Sequence, residues 1–222
     1  MGDALSSGEV RRIYDAAAPR YDLQHALITL HSDQRGRRRV VELGVHERDH
    51  VLDAGGGTGL TGMLAARKVG AQGRVSVFDL SEGMLGEARA KAAQAGLAER
   101  MEFTVGDMLA LPYPDASFDA VLSTYSLCPL YDPARGALEL YRVLKPGKLL
   151  AAAHSSVPAS RAVRVLADCV ESAVSRLHWL SLGCRPVEVL PALLAAGAEL
   201  VMTQRIGVPL WPFLVFVVRK PA

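Results

Sequence analysis

Hydrophobic and polar positions change rhythm near residue 50. Before it, residues 8–44 carry apolar positions at helical spacing, without strand alternation, interrupted at Pro19. After it, short apolar runs alternate with periodic segments. Val51–Asp53, Arg74–Asp79, Met101–Val105 and Phe118–Ser123 read as the first four strands, and Leu149–His154 as the fifth. Helices fit at Leu60–Val69, Glu82–Ala95 and Pro133–Leu144. Such alternation predicts right-handed β-α-β units and a parallel sheet covered on both faces.

The alternation lapses after His154. Ala159–Leu177 reads as a long helical segment with Arg161, Arg164 and Arg176 among apolar residues, and Val187–Ala196 as a helix ended by Gly197. Two strands follow, Ala198–Arg205 and Trp211–Val218, joined through Gly207 and Pro209 as an antiparallel hairpin at one sheet edge. The predicted fold is α/β: a Rossmann-like, mostly parallel sheet of about seven strands with helices on both faces. An N-terminal helical lid and a helical insertion after the fifth strand are extra to that core, and additions of this kind often cover a site. One domain is expected, divided into a lid (1–48), a cofactor-binding core (49–155), a helical cover (156–185) and a C-terminal helix and strand pair (186–222).

Composition narrows this little. The 222 residues are 50% hydrophobic and 22% charged, which suits one soluble domain with a full core. A formal charge of +2 is too small to argue for nucleic acid. The basic cluster of Arg35 and Arg37–Arg39 fits a solvated helix face, with peripheral contact to an anionic lipid surface or substrate as the sharper reading. Cys128, Cys169 and Cys184 are far apart with no C-x-x-C pair, so neither a disulfide framework nor a zinc site is indicated. The start lacks the basic and apolar regions of a signal peptide, and the apolar stretch Ile206–Val218 is too short to span a membrane. A cytoplasmic protein is expected.

The candidate chemistry centres on Val51-Leu52-Asp53-Ala54-Gly55-Gly56-Gly57-Thr58-Gly59. A buried strand ends in an acid and passes through glycines into a helix, a place where backbone can approach a nucleotide-like ligand closely. Two readings compete. Gly57-Thr58-Gly59-Leu60-Thr61-Gly62 satisfies the dinucleotide fingerprint G-x-G-x-x-G, with Asp79 where a ribose-binding acid belongs. Gly55-x-Gly57-x-Gly59 preceded by Asp53 satisfies another pattern equally well.

Further stretches break the tie. Phe78-Asp79-Leu80-Ser81-Glu82-Gly83-Met84-Leu85 follows the second strand, Gly106-Asp107-Met108 the third, and residues 111–119 lead into the fourth. Arg142-Val143-Leu144-Lys145-Pro146-Gly147 precedes the fifth and reads as a helix end with Pro146-Gly147 turning into the strand. Together with the glycines, these strongly resemble the class I S-adenosylmethionine-dependent methyltransferases over roughly residues 50–155.

The resemblance implies S-adenosylmethionine as cofactor. Gly55, Gly57 and Gly59 would clear space for its amino-acid end, with Thr58 as a donor. Asp79 would accept from the ribose hydroxyls, although a helix-capping role is open to it as well. Asp107 would accept from the adenine amino group beside the Met108 amide. Leu80 and Met84 would sandwich the ring, or belong to the core. Thr124 would face the methionine part, and Asp53 would organise the glycine turn.

The N-terminal stretch Tyr14-Asp15 … Tyr21-Asp22 repeats a pair seven residues apart, so Tyr14 and Tyr21 can share a helix face if Pro19 permits. It resembles the lid of the ubiquinone/menaquinone biosynthesis methyltransferases, and equally the bacterial phosphatidylethanolamine N-methyltransferases. Simple packing of an aromatic helix on the core remains an alternative. The quinone enzymes carry an Arg-Asn pair after the fourth strand, whereas Tyr125–Leu130 is uncharged here. A small acceptor is implied, and apolar residues at 125–130 with Trp179 suit a lipophilic one. Methyl transfer needs a general base only where the acceptor must lose a proton. His154, ending the fifth strand, is the candidate for that role, or a structural histidine.

Overall fold

Strand order β3-β2-β1-β4-β5-β7-β6 organises a seven-stranded sheet. The computed structural model describes residues 5–158, 160, 163, 184, 186–208 and 211–222. The expected segment Ala159–Leu177 and Trp179 lie outside these, apart from Ser160 and Val163. Strands β1 (His50–Ala54), β2 (Arg74–Asp79), β3 (Met101–Val105), β4 (Phe118–Thr124) and β5 (Leu144–Ser155) are parallel. Strand β7 (Trp211–Arg219) inserts antiparallel between β5 and the edge strand β6 (Glu199–Val208). The doubly wound dinucleotide sheet ends instead in a parallel sixth strand. The last hairpin therefore argues against the G-x-G-x-x-G reading more firmly than any residue within that motif.

The core strands read as near-continuous apolar runs because both their faces are covered. On one face, Val51, Val75, Val77, Leu122 and Ala151 pack with α3 (Ser32–Gly44) and α4 (Leu60–Val69). On the other, Leu52, Phe78, Val121, Leu150 and Phe216 pack with α6 (Pro133–Val143) and α7 (Leu190–Ala195). Helix α5 (Glu82–Gln94) starts on Ser81, whose hydroxyl accepts the Met84 amide at 3.1 Å.

The helical N-terminal stretch breaks where proline requires. Helix α1 (Ser7–Ala17) opens with a capping box between Ser6 and Glu9, gives way to a 3-10 turn at Ala18–Arg20, and resumes as α2 (Tyr21–Ile28).

Three elements differ from the sequence reading, the simplest being β6, which runs on to Val208 so that Gly207, expected in the joint, pairs with Pro212 inside the sheet. Strand β5 begins at Leu144, and Pro146-Gly147 lies within it as an irregularity between the pairs Phe118↔Leu144 and Ala120↔Leu149. Lys220 holds that excursion, its carbonyl accepting the Gly147 amide at 2.7 Å and its amide donating to the Lys148 carbonyl at 3.0 Å. The expected helix at 187–196 is shorter, because the Val187 amide bonds the Ser155 carbonyl at 3.3 Å and keeps the approach non-helical.

Candidate active site

The site lies beyond the C-terminal ends of β1 and β4, where the chain leaves in opposite directions along the sheet and a crevice opens. Local backbone geometry makes the first wall. Gly55 and Gly57 hold left-handed angles (φ 67° and 54°), and the Gly55 and Gly56 amides donate to the Phe78 carbonyl at 2.7 and 3.1 Å. A Cβ at Gly55 would stand 2.2 Å from that of Ser126, whereas one at Gly57 would meet nothing within 4 Å. The turn is packed at its start and open at its middle.

The strand-end acids make the second wall. Asp79 accepts the Gly57 amide at 2.8 Å on one oxygen and the Ser81 amide at 2.9 Å on the other. Each oxygen keeps a further lone pair for a ligand. Burial pushes this carboxyl up from its ordinary value, against those same amide bonds. Asp107 accepts the Leu109 amide at 2.9 Å and the Ser7 hydroxyl at 3.0 Å, and so ties the start of α1 to the end of β3.

Helices α1 and α2 close the top. Tyr14 and Tyr21 sit with ring centroids 5.9 Å apart, on one face despite Pro19 between them. Burial raises both phenols well above their ordinary value, so both are neutral hydroxyls at neutral pH. The aspartates that follow them fasten the lid. Asp15 accepts the Ser81 hydroxyl at 2.5 Å and the Gly83 amide at 3.1 Å, while Asp22 accepts the Thr58 hydroxyl at 2.6 Å and the Lys91 ammonium at 2.5 Å.

These walls line a cleft that is partly open to solvent. It is lined by every expected cofactor residue except Asp53 and Gly59. Asp53 is fully buried under the turn, near enough to Gly56 and Gly62 that a Cβ on either would stand 3.0 or 3.1 Å from its carboxylate. Burial pushes its carboxyl up to about 7, only partly offset by the Arg37 charge and the Gly62 amide. Gly59 (φ 81°) begins α4, and its Cβ would stand 2.9 Å from that of Ala88, so it serves close helix packing. His154 stays out of the cavity. It is 1% exposed, with Nδ1 2.9 Å from the Ser155 carbonyl and its ring edge-on to Phe216, and burial lowers its pKa.

One lining residue overturns its sequence reading. Arg37 belongs to the basic cluster read as a solvated face, yet it is 5% exposed and points inward, while Arg35 and Arg38 stay outside. Its Nη1 donates to Thr61 and Thr124 at 3.0 Å each, Asp33 lies 3.5 Å from its Nε, and its guanidinium lies 5.2 Å from the Tyr125 ring centroid. Asp33 in turn faces His25 at 3.3 Å, and these partners overcome burial and hold its carboxyl below the ordinary range. Only the Asp33/Arg37 helical spacing hinted at this, since Thr61 and Thr124 are distant in sequence. Arg37 therefore puts a positive charge beside the uncharged stretch Tyr125–Leu130, of which Tyr125, Ser126, Pro129 and Leu130 line the cavity.

Comparison with known proteins agrees with this geometry. The chain is 42% identical to a demethylmenaquinone methyltransferase of Thermus thermophilus, over 61% of this chain and 60% of that protein. It is 31% identical to a ubiquinone/menaquinone biosynthesis C-methyltransferase UbiE of a Marinomonas species, over 72% of this chain and 64% of that one. The chain thus spans less than two thirds of the length of these relatives. Among solved structures, the [4+2]-cyclase SpnF superposes with a TM-score of 0.74 over 99% of this chain and 98% of that one, at 20% identity, a likeness of fold alone. The profile of the ubiE/COQ5 methyltransferase family matches residues 3–168, which include the lid, the glycine turn and both strand-end acids; the chain belongs to that family.

Proposed function

We propose that this chain is an S-adenosylmethionine-dependent methyltransferase acting on a lipophilic quinol precursor. One observation carries the reading: an open glycine turn, two strand-end carboxylates and a tyrosine-lined lid converge on a single cavity. The residues present fit the cofactor. Asp79 keeps lone pairs for the ribose hydroxyls and Asp107 for the adenine amino group, with Leu80, Met84 and Met108 as apolar walls for the ring. The open space at Gly57 and the nearby Thr58 and Thr124 suit the methionine part, and the buried guanidinium of Arg37 offers its carboxylate a positive charge. Asp53 and Gly59 support the turn from behind.

Bound there, the cofactor supplies a methyl group already activated for in-line displacement. The chain has then to hold the acceptor in line and keep water out. Tyr14, Tyr21, Tyr125, Pro129 and Leu130 give an apolar approach with neutral hydroxyls that can orient an acceptor oxygen. A quinol precursor with an isoprenoid tail resides at a membrane, where the enzyme would meet it. The relatives named for demethylmenaquinone and ubiquinone support this acceptor over phosphatidylethanolamine.

The test is transfer of a labelled methyl group from S-adenosylmethionine to reduced demethylmenaquinone, with phosphatidylethanolamine vesicles in a parallel reaction. Label in the quinol is expected. Label in the phospholipid alone would overturn the acceptor, and binding of a nicotinamide dinucleotide in place of S-adenosylmethionine would overturn the class.

A further inference from the structure

Helix α2 and the corner after it display apolar side chains for which the fold provides no cover. Leu23, Leu27 and Leu30 recur at i, i+4 and i+7 and are 68%, 63% and 71% exposed, with Ile28 beside them at 41%. The other face of α2 carries Tyr21 to the cavity and His25 to Asp33. The corner is also strained, because Leu30 and His31 both hold left-handed backbone angles (φ 49° and 59°). A leucine at such an apex gains little packing in return.

The exposed, unpaired charges that flank this patch along the chain share one sign. Arg20 precedes α2, Arg35 lies in the first turn of α3, and Arg38 follows one turn on. All three are exposed and form no ion pair among the described residues. The two acids of the same stretch are engaged elsewhere, Asp22 with Thr58 and Lys91, Asp33 with His25 and Arg37.

An apolar corner flanked by unpaired arginines complements a surface that has acyl chains beneath anionic head groups. We propose that α2 and the α2–α3 corner dock this chain on an anionic membrane surface. Leu23, Leu27 and Leu30 enter the head-group region, and Arg20, Arg35 and Arg38 meet lipid phosphates. No helix among the described residues is long and apolar enough to cross a membrane, so the contact is interfacial. A second copy of this chain would cover the leucines but bring the same arginines against each other. The docking rests on the proposed function in one respect only: it sets the lid over the cavity beside the phase that holds a lipophilic acceptor.

The test is co-sedimentation of the full chain with phosphatidylcholine vesicles and with vesicles containing about one third phosphatidylglycerol, at low and high salt. Binding to the anionic vesicles alone, reversed by salt, is expected. Leu27→Ser with Leu30→Ser should weaken it by about tenfold or more, and Arg35→Gln with Arg38→Gln by roughly fivefold per charge. Both double variants should keep the wild-type circular dichroism and the wild-type S-adenosylmethionine affinity by calorimetry. That readout separates failure of docking from failure of the cofactor assignment. Wild-type chain left in the supernatant with anionic vesicles, or double variants that sediment like wild type, would overturn the proposal. A wild-type dimer in light scattering, dissolved by the leucine substitutions and indifferent to vesicles, would overturn it in favour of a second copy.

Discussion

Asp22 accepts the Thr58 hydroxyl at 2.6 Å, which fastens the helical lid to the glycine-rich turn itself. Asp15 makes the matching attachment at Ser81 and Gly83. In each Tyr-Asp pair, the tyrosine faces the cavity and the acid latches the lid to the body. The two roles explain why the pair recurs after two helical turns. Asp22→Ala should therefore loosen the lid without unfolding the core. We expect S-adenosylmethionine affinity to fall about five- to tenfold, the worth of one or two hydrogen bonds. Hydrogen exchange over residues 7–28 should accelerate while β1–β5 stay protected.

Gly55 and Gly57 separate structure from binding. Gly55→Ala meets Ser126 at 2.2 Å as well as a positive φ, so we expect a loss of stability of about 2 kcal/mol or more. Gly57→Ala meets open space and carries only the cost of its positive φ, about 1 kcal/mol. Its new methyl group would nevertheless stand at the cavity wall. Urea denaturation should rank Gly55→Ala as the more damaging, and calorimetry should show Gly57→Ala losing cofactor affinity out of proportion to its stability.

Asp53 gives the fold a dependence on pH. In the unfolded chain it releases its proton near its ordinary value of 3.8, while in the folded chain burial defers release to about 7. Between those values the folded state holds more protons, so this group lowers stability as pH rises through the interval, with no further loss above it. Asp53→Asn should remove that slope. Unfolding free energies of the two proteins across pH 4–8 would check this, with the variant showing the flatter profile.

Arg37 is the only charge placed between Asp33, Thr61 and Thr124 among the described residues. Arg37→Ala would strand the buried Asp33 carboxylate beside His25, and removal of one partner from a buried pair costs about 3–5 kcal/mol. Arg37→Lys should recover part of that stability but little cofactor affinity, because an ammonium cannot hold Thr61, Thr124 and Asp33 and face the cavity at the same time. Thermal unfolding and calorimetry on the two variants would show the divergence. His154 provides the contrast: His154→Asn should alter stability while leaving methyl transfer by the folded fraction near wild type.

Much of this was legible in the sequence, for physical reasons. Strands β1–β4 are short apolar runs bounded by polar turns, and their boundaries fall within a residue of the periodicity. The cavity-lining positions follow from them, because a residue at or just past a parallel strand's C-terminal end lies in the crevice. Asp79, Asp107 and Thr124 were identifiable on that ground together with the family resemblance. Arg37 was not, since its inward direction is set by Asp33, Thr61, Thr124 and Tyr125, which meet only in three dimensions. His154 is the reverse case: it lies one residue from the end of β5, yet it is buried with Nδ1 on the Ser155 carbonyl and its ring against Phe216, and it does not line the cavity. The early start of β5 was hidden because Pro146-Gly147 carries turn chemistry wherever it stands, and only pairing with Phe118 and the backbone of Lys220 draws it into the sheet.

The central claim is that this one cavity holds S-adenosylmethionine with Asp79 on its ribose. Calorimetric titration of wild type and Asp79→Ala with S-adenosylmethionine tests it most directly, alongside circular dichroism to establish that both are folded. We expect saturable binding at one site in wild type and a loss of about a hundredfold or more in the variant, since both ribose hydrogen bonds and the brace on Gly57 go together. Equal affinity in the two proteins would contradict the account.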